Sequence, residues 1–127
     1  MTAIKENSTR NFNKGIAVMV CPVTYVMNKI GGHWKPIILY QLRDGPKRYS
    51  ELKRAIPAIT EKMLIQHLKQ LQADNLVLRK AEPVIPPFVT YELSAPGNEL
   101  TPILNALAAW AIQDSANPVY RMQEAAL

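Results

Sequence analysis

The sequence predicts a mainly α-helical domain with one small β-hairpin, an α+β fold. Three observations carry this reading. Apolar residues recur at helical spacing up to about residue 74. The period then shortens to two across "LVLRK" and "VTYEL", residues 76–80 and 89–93. Helical spacing returns from Ser94 onward. A chain of 127 residues is one domain's worth, enough for a single modest core. No repeat or low-complexity segment divides it.

The elements follow in order. After a polar leader over residues 1–20, "VTYVMNKI" forms a short amphipathic helix that stops at Gly31 and Gly32. "HWKPIILYQLRDG" forms a second helix with Trp34, Ile37, Ile38 and Leu42 on one stripe. Pro36 fits its first turn, where the missing N–H leaves no bond unmade. "RYSELKRAI" is a third, short helix with Ser50 as its cap and Leu52 and Ile56 inward. "PAI" makes a tight turn, and Thr60 caps "TEKMLIQHLKQLQADN". There Leu64, Leu68 and Leu71 face the core, leaving Glu61, Lys62, Ile65, Gln66, Lys69 and Gln72 outside.

Two strands come next. In the second, Val89, Tyr91 and Leu93 alternate with outward Thr90 and Glu92, and the prolines of "AEPVIPPF" stiffen the loop between the strands. Ser94 opens a last helix that Pro102 kinks or restarts, with Thr101 as a second cap. The apolar positions of that helix exceed one stripe, as when a second face is buried against another chain. The domain therefore spans residues 21–117, with a tail over 118–127.

Two short helices joined by a tight turn and followed by a hairpin make the winged helix-turn-helix arrangement, in which the second helix enters the DNA major groove. Thr60, Lys62, Gln66, His67 and Lys69 are the polar groups that helix offers to base edges and phosphates. Arg43, Lys47, Arg48, Lys53 and Arg54 flank it, where phosphates would run. Charge distribution agrees. Residues 1–80 hold 14 Lys/Arg against 5 Asp/Glu, whereas residues 81–127 hold 1 against 5.

The stretch from "CPVTYVMNKIGGHWKP" through "DGPKRYSEL" and "KMLIQHLKQLQADNLV" to "PPFVTYELS" resembles the HxlR-type winged helix-turn-helix transcriptional regulators, over about residues 21–111. The resemblance implies a homodimer, built by the first and last helices, that binds a partly palindromic double-stranded DNA operator. Tyr25, Ile103, Leu107 and Trp110 are the expected interface residues. Two recognition helices would then stand roughly 34 Å apart, one turn of DNA. The chain departs from the family pattern at three points. Phe88 replaces a wing cation, which shifts expected wing contacts to Arg79 and Lys80. His33 replaces the lysine of "GGKW". Ala58 replaces a turn glycine, which implies a turn without positive φ.

Cys21, the single cysteine, precedes Pro22 at a helix start. The unpaired N–H groups there favour a thiolate. Several HxlR-type regulators sense oxidants or electrophiles through a cysteine at this position. The alternative is packing, since Cys21 follows the apolar run "GIAVMV". One sulfur per subunit leaves a Cys21–Cys21 link between subunits, a mixed disulfide with a small thiol, or alkylation.

An enzyme is not expected. His33 and His67 lie on separate helices, and no glycine-rich phosphate loop or Cys/His metal spacing is present, so neither catalytic residues nor a metal or cofactor are assigned. The N-terminus lacks the apolar core of a signal peptide and no run is long enough to span a membrane, which implies a cytoplasmic protein. The rival from another class is a winged helix used only for protein interaction or dimerisation.

Overall fold

The structure is a computed structural model that describes residues 21–126. The leader over residues 1–20 lies outside the described residues. The chain forms helices α1 (Pro22–Ile30), α2 (Trp34–Gln41), α3 (Tyr49–Ala55) and α4 (Glu61–Ala73). Strands β1 (Val77–Glu82) and β2 (Phe88–Leu93) follow, and then α5 (Ala95–Glu99), α6 (Thr101–Asp114) and α7 (Pro118–Ala126). The element order is the one expected, with one addition: the segment 118–127, read only as a tail, carries α7.

Local chemistry places most boundaries. Pro22 occupies the first position of α1 and Cys21 its N-cap. The α1 helix ends where Gly32 takes φ 92°, a conformation glycine adopts without steric cost. Thr60 caps α4, its hydroxyl oxygen accepting from the Met63 N–H at 3.2 Å. Ser94 caps α5, accepting from the Gly97 N–H at 3.1 Å.

Two expected caps are elsewhere. The N-cap of α3 is Arg48 rather than Ser50, because Glu51 reaches back to accept the Arg48 backbone N–H at 2.9 Å and starts the helix two residues earlier. The N-cap of α6 is Leu100, not Thr101. Thr101 is already helical, and its covered hydroxyl oxygen has no hydrogen-bond partner among the described residues. Pro102 does restart the helix, since it sits in the first turn of α6.

The core is built around α2, which packs against α3, α4 and α6. Ile38 and Leu39 are both fully buried and Leu42 nearly so. Leu39 lies off the single stripe expected for α2, because α4 and α6 cover the helix from two sides. Leu64, Leu68 and Leu71 line the inner face of α4, and Leu52 and Ile56 that of α3. Ile59 in the interhelical turn closes the same core. Each fully buried leucine or isoleucine contributes about 1.5–3 kcal/mol.

The hairpin is antiparallel, running from Val77 opposite Leu93 to Glu82 opposite Phe88. Both strands extend beyond the expected segments, so Ala81, Glu82 and Phe88 belong to the sheet rather than the loop. Thr90 and Glu92 are half-buried rather than fully outward. The carboxylate of Glu92 is ion-paired with Lys80 on the same face.

Two further features join the hairpin to the helices. Lys47 exchanges both backbone hydrogen bonds with Tyr91, at 2.9 and 2.8 Å, adding a one-residue third strand ahead of α3. At the other end, Asn75 takes φ 57° after α4, and its carbonyl accepts from the Ser94 hydroxyl at 2.7 Å. Gly97 lies so close beneath Leu76 that a Cβ there would sit 2.2 Å from the Leu76 carbonyl oxygen. The hairpin base is thereby tied to both α4 and α5.

Candidate nucleic-acid interface

The helix-turn-helix consists of α3, the turn through Ile59 and α4. Ala58 has no positive φ, as expected, since Asn75 is the one non-glycine residue with positive φ among those described. The inner face of α4 is sealed by its three leucines. Its outer face carries Lys62, Ile65, Gln66 and Lys69, all exposed and spaced at i, i+3, i+4 and i+7. Among the described residues, Lys62, Gln66 and Lys69 make no side-chain hydrogen bond and no ion pair. Thr60 is exposed at the start of α4 with its acceptor committed to the cap. Gln72, read as outward, is half-buried and donates to the Leu68 carbonyl at 3.1 Å.

His67 differs from its neighbours. It falls three residues after Leu64 and four before Leu71, which turns it towards the core edge. It is half-buried, and its Nδ1 is covered without a partner among the described residues. Burial lowers its pKa below the ordinary histidine value, and the nearby Lys35 ammonium lowers it further. His67 is therefore a neutral edge-of-core residue rather than one facing outward with Gln66. Its spacing from the leucines was the available signal.

The flanking cations fall into two groups. Arg48, Arg54 and Arg79 are exposed and Lys47 is half-buried, and none of them makes a side-chain ion pair among the described residues. The Arg48 guanidinium lies over the Phe88 ring, 4.6 Å from its centroid. Others are engaged within the chain. Lys53 donates to the Pro57 carbonyl at 3.2 Å, and Lys80 pairs with Glu92. Arg43, expected among the flanking cations, stacks 3.8 Å over Tyr40 and donates to the Tyr40 carbonyl at 2.8 Å. It shares a cleft with Asn105, Ala108 and Ile112 of α6, which removes it from the set.

Cys21, at the N-cap of α1, is partly exposed, and its side chain makes no capping hydrogen bond. The Thr24 backbone N–H lowers the thiol pKa below its ordinary value. The Thr24 hydroxyl and the Val23 N–H add to this, against a smaller opposing effect of burial. Tyr25 on α1 and Ile103, Leu107 and Trp110 on α6 are all exposed, Trp110 by 67%. Val119, Tyr120 and Met122 of α7 are exposed as well. Among the described residues no cluster of three metal-ligating side chains occurs, and no helix is long and apolar enough to cross a membrane.

Comparison with known proteins agrees with this architecture. The uncharacterised HTH-type transcriptional regulator YkvN of Bacillus subtilis strain 168 is 50% identical over 90 residues, covering 71% of this chain and 76% of YkvN. Among solved structures, the redox regulator HypR in its oxidised form superposes with a TM-score of 0.71 at 38% identity, over 76% of this chain and 99% of HypR. The reduced form of the transcriptional regulator YodB from B. subtilis gives 0.65 at 35% identity, over 77% of this chain and 96% of YodB. The sequence profile of the HxlR-like helix-turn-helix family matches residues 29–118. This chain belongs to that family, and is a winged helix-turn-helix transcriptional regulator rather than an enzyme.

Proposed function

We propose that the protein is a homodimeric, sequence-specific DNA-binding regulator that reads a partly palindromic operator with α4. The observation that carries this reading is the outer strip of α4. Lys62, Gln66 and Lys69 stand exposed and uncommitted on a helix whose other face is locked into the core. A glutamine can pair bidentately with adenine, a lysine can donate to guanine or phosphate, and the exposed Ile65 between them suits a thymine methyl. Thr60 stands at the start of α4. Lys47, Arg48, Lys53 and Arg79 would meet phosphates, as would Lys69. Lys80 contributes less because Glu92 already neutralises it, and His67 serves α4 from the core side rather than reading bases.

The homodimer is supported by the exposed apolar side chains of α1 and α6, Tyr25, Ile103, Leu107 and Trp110. The last three fall at i, i+4 and i+7, one uncovered apolar face of α6, and such a face is uncommon on a monomer. Cys21 is assigned as the sensor of oxidants or electrophiles. Its support is the partly exposed sulfur at a helix start, the lowered thiol pKa, and the likeness to a solved protein described as a redox regulator. A two-electron oxidant would join two Cys21 sulfurs, one from each subunit, with loss of both thiol protons. An electrophile would instead add to the thiolate. Operator affinity should respond to oxidant in the parent and not in Cys21→Ser. An identical response in both rules the sensor out.

The direct test of DNA binding is selection from a randomised duplex pool with the reduced protein. Two inverted half-sites about one helical turn apart are expected. The exposed apolar wing tip, with Ile85 fully exposed and Val84 nearly half so, favours the second reading, a protein-interaction or dimerisation module. Such a module would retain no duplex at low salt. A DNA reader retains one and loses it steeply as salt rises.

A further inference from the structure

The geometry points to Phe88 as a positioning residue for Arg48: the ring on the wing holds that guanidinium at the joint between wing and helix-turn-helix, where it meets a DNA phosphate. The inference rests on the DNA-binding reading above and assigns a role within the same site.

Two arginines among the described residues lie over aromatic rings, and their situations differ. Arg43 sits over Tyr40 with its guanidinium hydrogen-bonded to a carbonyl and 4.0 Å from the Asp44 carboxylate, so its charge is used within the fold. Arg48 sits over Phe88 with no side-chain hydrogen bond or ion pair among the described residues. Both members of the pair are exposed, Phe88 by 38%. The face of a ring attracts the cation but takes up none of the five guanidinium N–H donors, which remain available in the plane of the group.

The backbone on either side is fixed independently. The Lys47–Tyr91 bonds hold the residue before Arg48 to β2, Glu51 holds the Arg48 N–H, and Phe88 is registered opposite Glu82. Phe88 also stands where a wing cation is expected. Its ring supports a cation supplied from the helix side instead of bearing one itself. An arginine already held over a ring loses less side-chain freedom on binding than one free in water, which is the advantage the pair confers.

The test uses the full chain and the duplex enriched from the randomised pool, titrated by fluorescence anisotropy across a range of salt. Arg48→Ala should reduce the slope of log affinity against log salt by roughly 0.9. Phe88→Ala should weaken binding about two- to fivefold, Phe88→Tyr should bind as the parent does, and the double variant Arg48→Ala/Phe88→Ala should bind no more weakly than Arg48→Ala. The melting temperature of Phe88→Ala should match the parent's. The inference is overturned if the two single effects multiply in the double variant, if Phe88→Tyr is as weak as Phe88→Ala, or if the Phe88→Ala loss follows a lowered melting temperature. Failure of the parent to retain any duplex would instead remove the DNA-binding reading itself, and this role with it. That result is read before any variant is made.

Discussion

Helices α4 and α6 are nearly equal in length, 13 and 14 residues, and opposite in how the fold uses them. In α4 three leucines at i, i+4 and i+7 are fully buried and the outer face is almost wholly polar. In α6 only Leu104 is buried, while Ile103, Leu107 and Trp110 stand more than half exposed. The first helix is completed within its own chain, whereas the second leaves apolar surface uncovered. One chain thus divides its helices between one whose apolar face is sealed in the core and one whose apolar face stays exposed. The charge follows the same division, basic through α4 and acidic beyond residue 80. A polyanion approaching the α4 side would be attracted.

The sharpest way to break the comparison is to attack the buried side. Leu68→Ala should cost about 2–5 kcal/mol of stability, from lost transfer energy plus the cavity left behind. Thermal unfolding followed by circular dichroism measures it. A loss below about 1 kcal/mol would mean α4 is not seated as described.

The matching change on α6, Leu107→Glu with Trp110→Glu, should leave helix content unchanged and convert a dimer to a monomer in sedimentation at micromolar concentration. A parent that is already monomeric would show that α6 is not covered by a second copy.

On the outer face of α4 the effects are smaller and concern binding alone. Gln66→Ala should lose about 1–3 kcal/mol of discrimination at one base pair of each half-site, read by competition with single-base variants of the operator. Lys62→Ala should weaken all duplexes alike and reduce the salt slope by about 1. Equal behaviour of both variants and the parent would remove α4 as the reading helix.

The smallest effect is that of pH. Folding lowers the His67 pKa, so the unfolded chain binds the proton more readily. Stability from neutral His67 is complete above the ordinary histidine pKa of about 6.5 and declines as pH falls through the lower folded value. His67→Gln should flatten this decline in melting temperature between pH 7 and 5. An equally steep decline in the variant would place its origin elsewhere.

What the sequence determined by itself was most of what is set within one or two turns of chain, the caps of α3 and α6 excepted. The leucine spacing of α4, the caps at Thr60 and Ser94, Pro22 at the start of α1, and the helix-turn-helix-hairpin order all depend on neighbours at most a few residues away. Their physics is local sterics, periodicity and unpaired N–H groups. The exposed side of α4 was legible for the same reason, His67 and Gln72 excepted, because knowing which residues pack leaves most of the others outside.

Tertiary structure decided two of the cation contacts. Lys80 against Glu92 across the hairpin and Arg48 on Phe88 forty residues away depend on how distant elements meet, whereas Arg43 on Tyr40 and Lys53 on the Pro57 carbonyl are contacts within three or four residues. It also decided the Lys47–Tyr91 bridge, the second buried side of α2, and the close approach of Gly97 to Leu76. A long charged side chain can reach several partners with nearly equal energy. Its choice is settled only when packing brings one ring, carbonyl or carboxylate within reach.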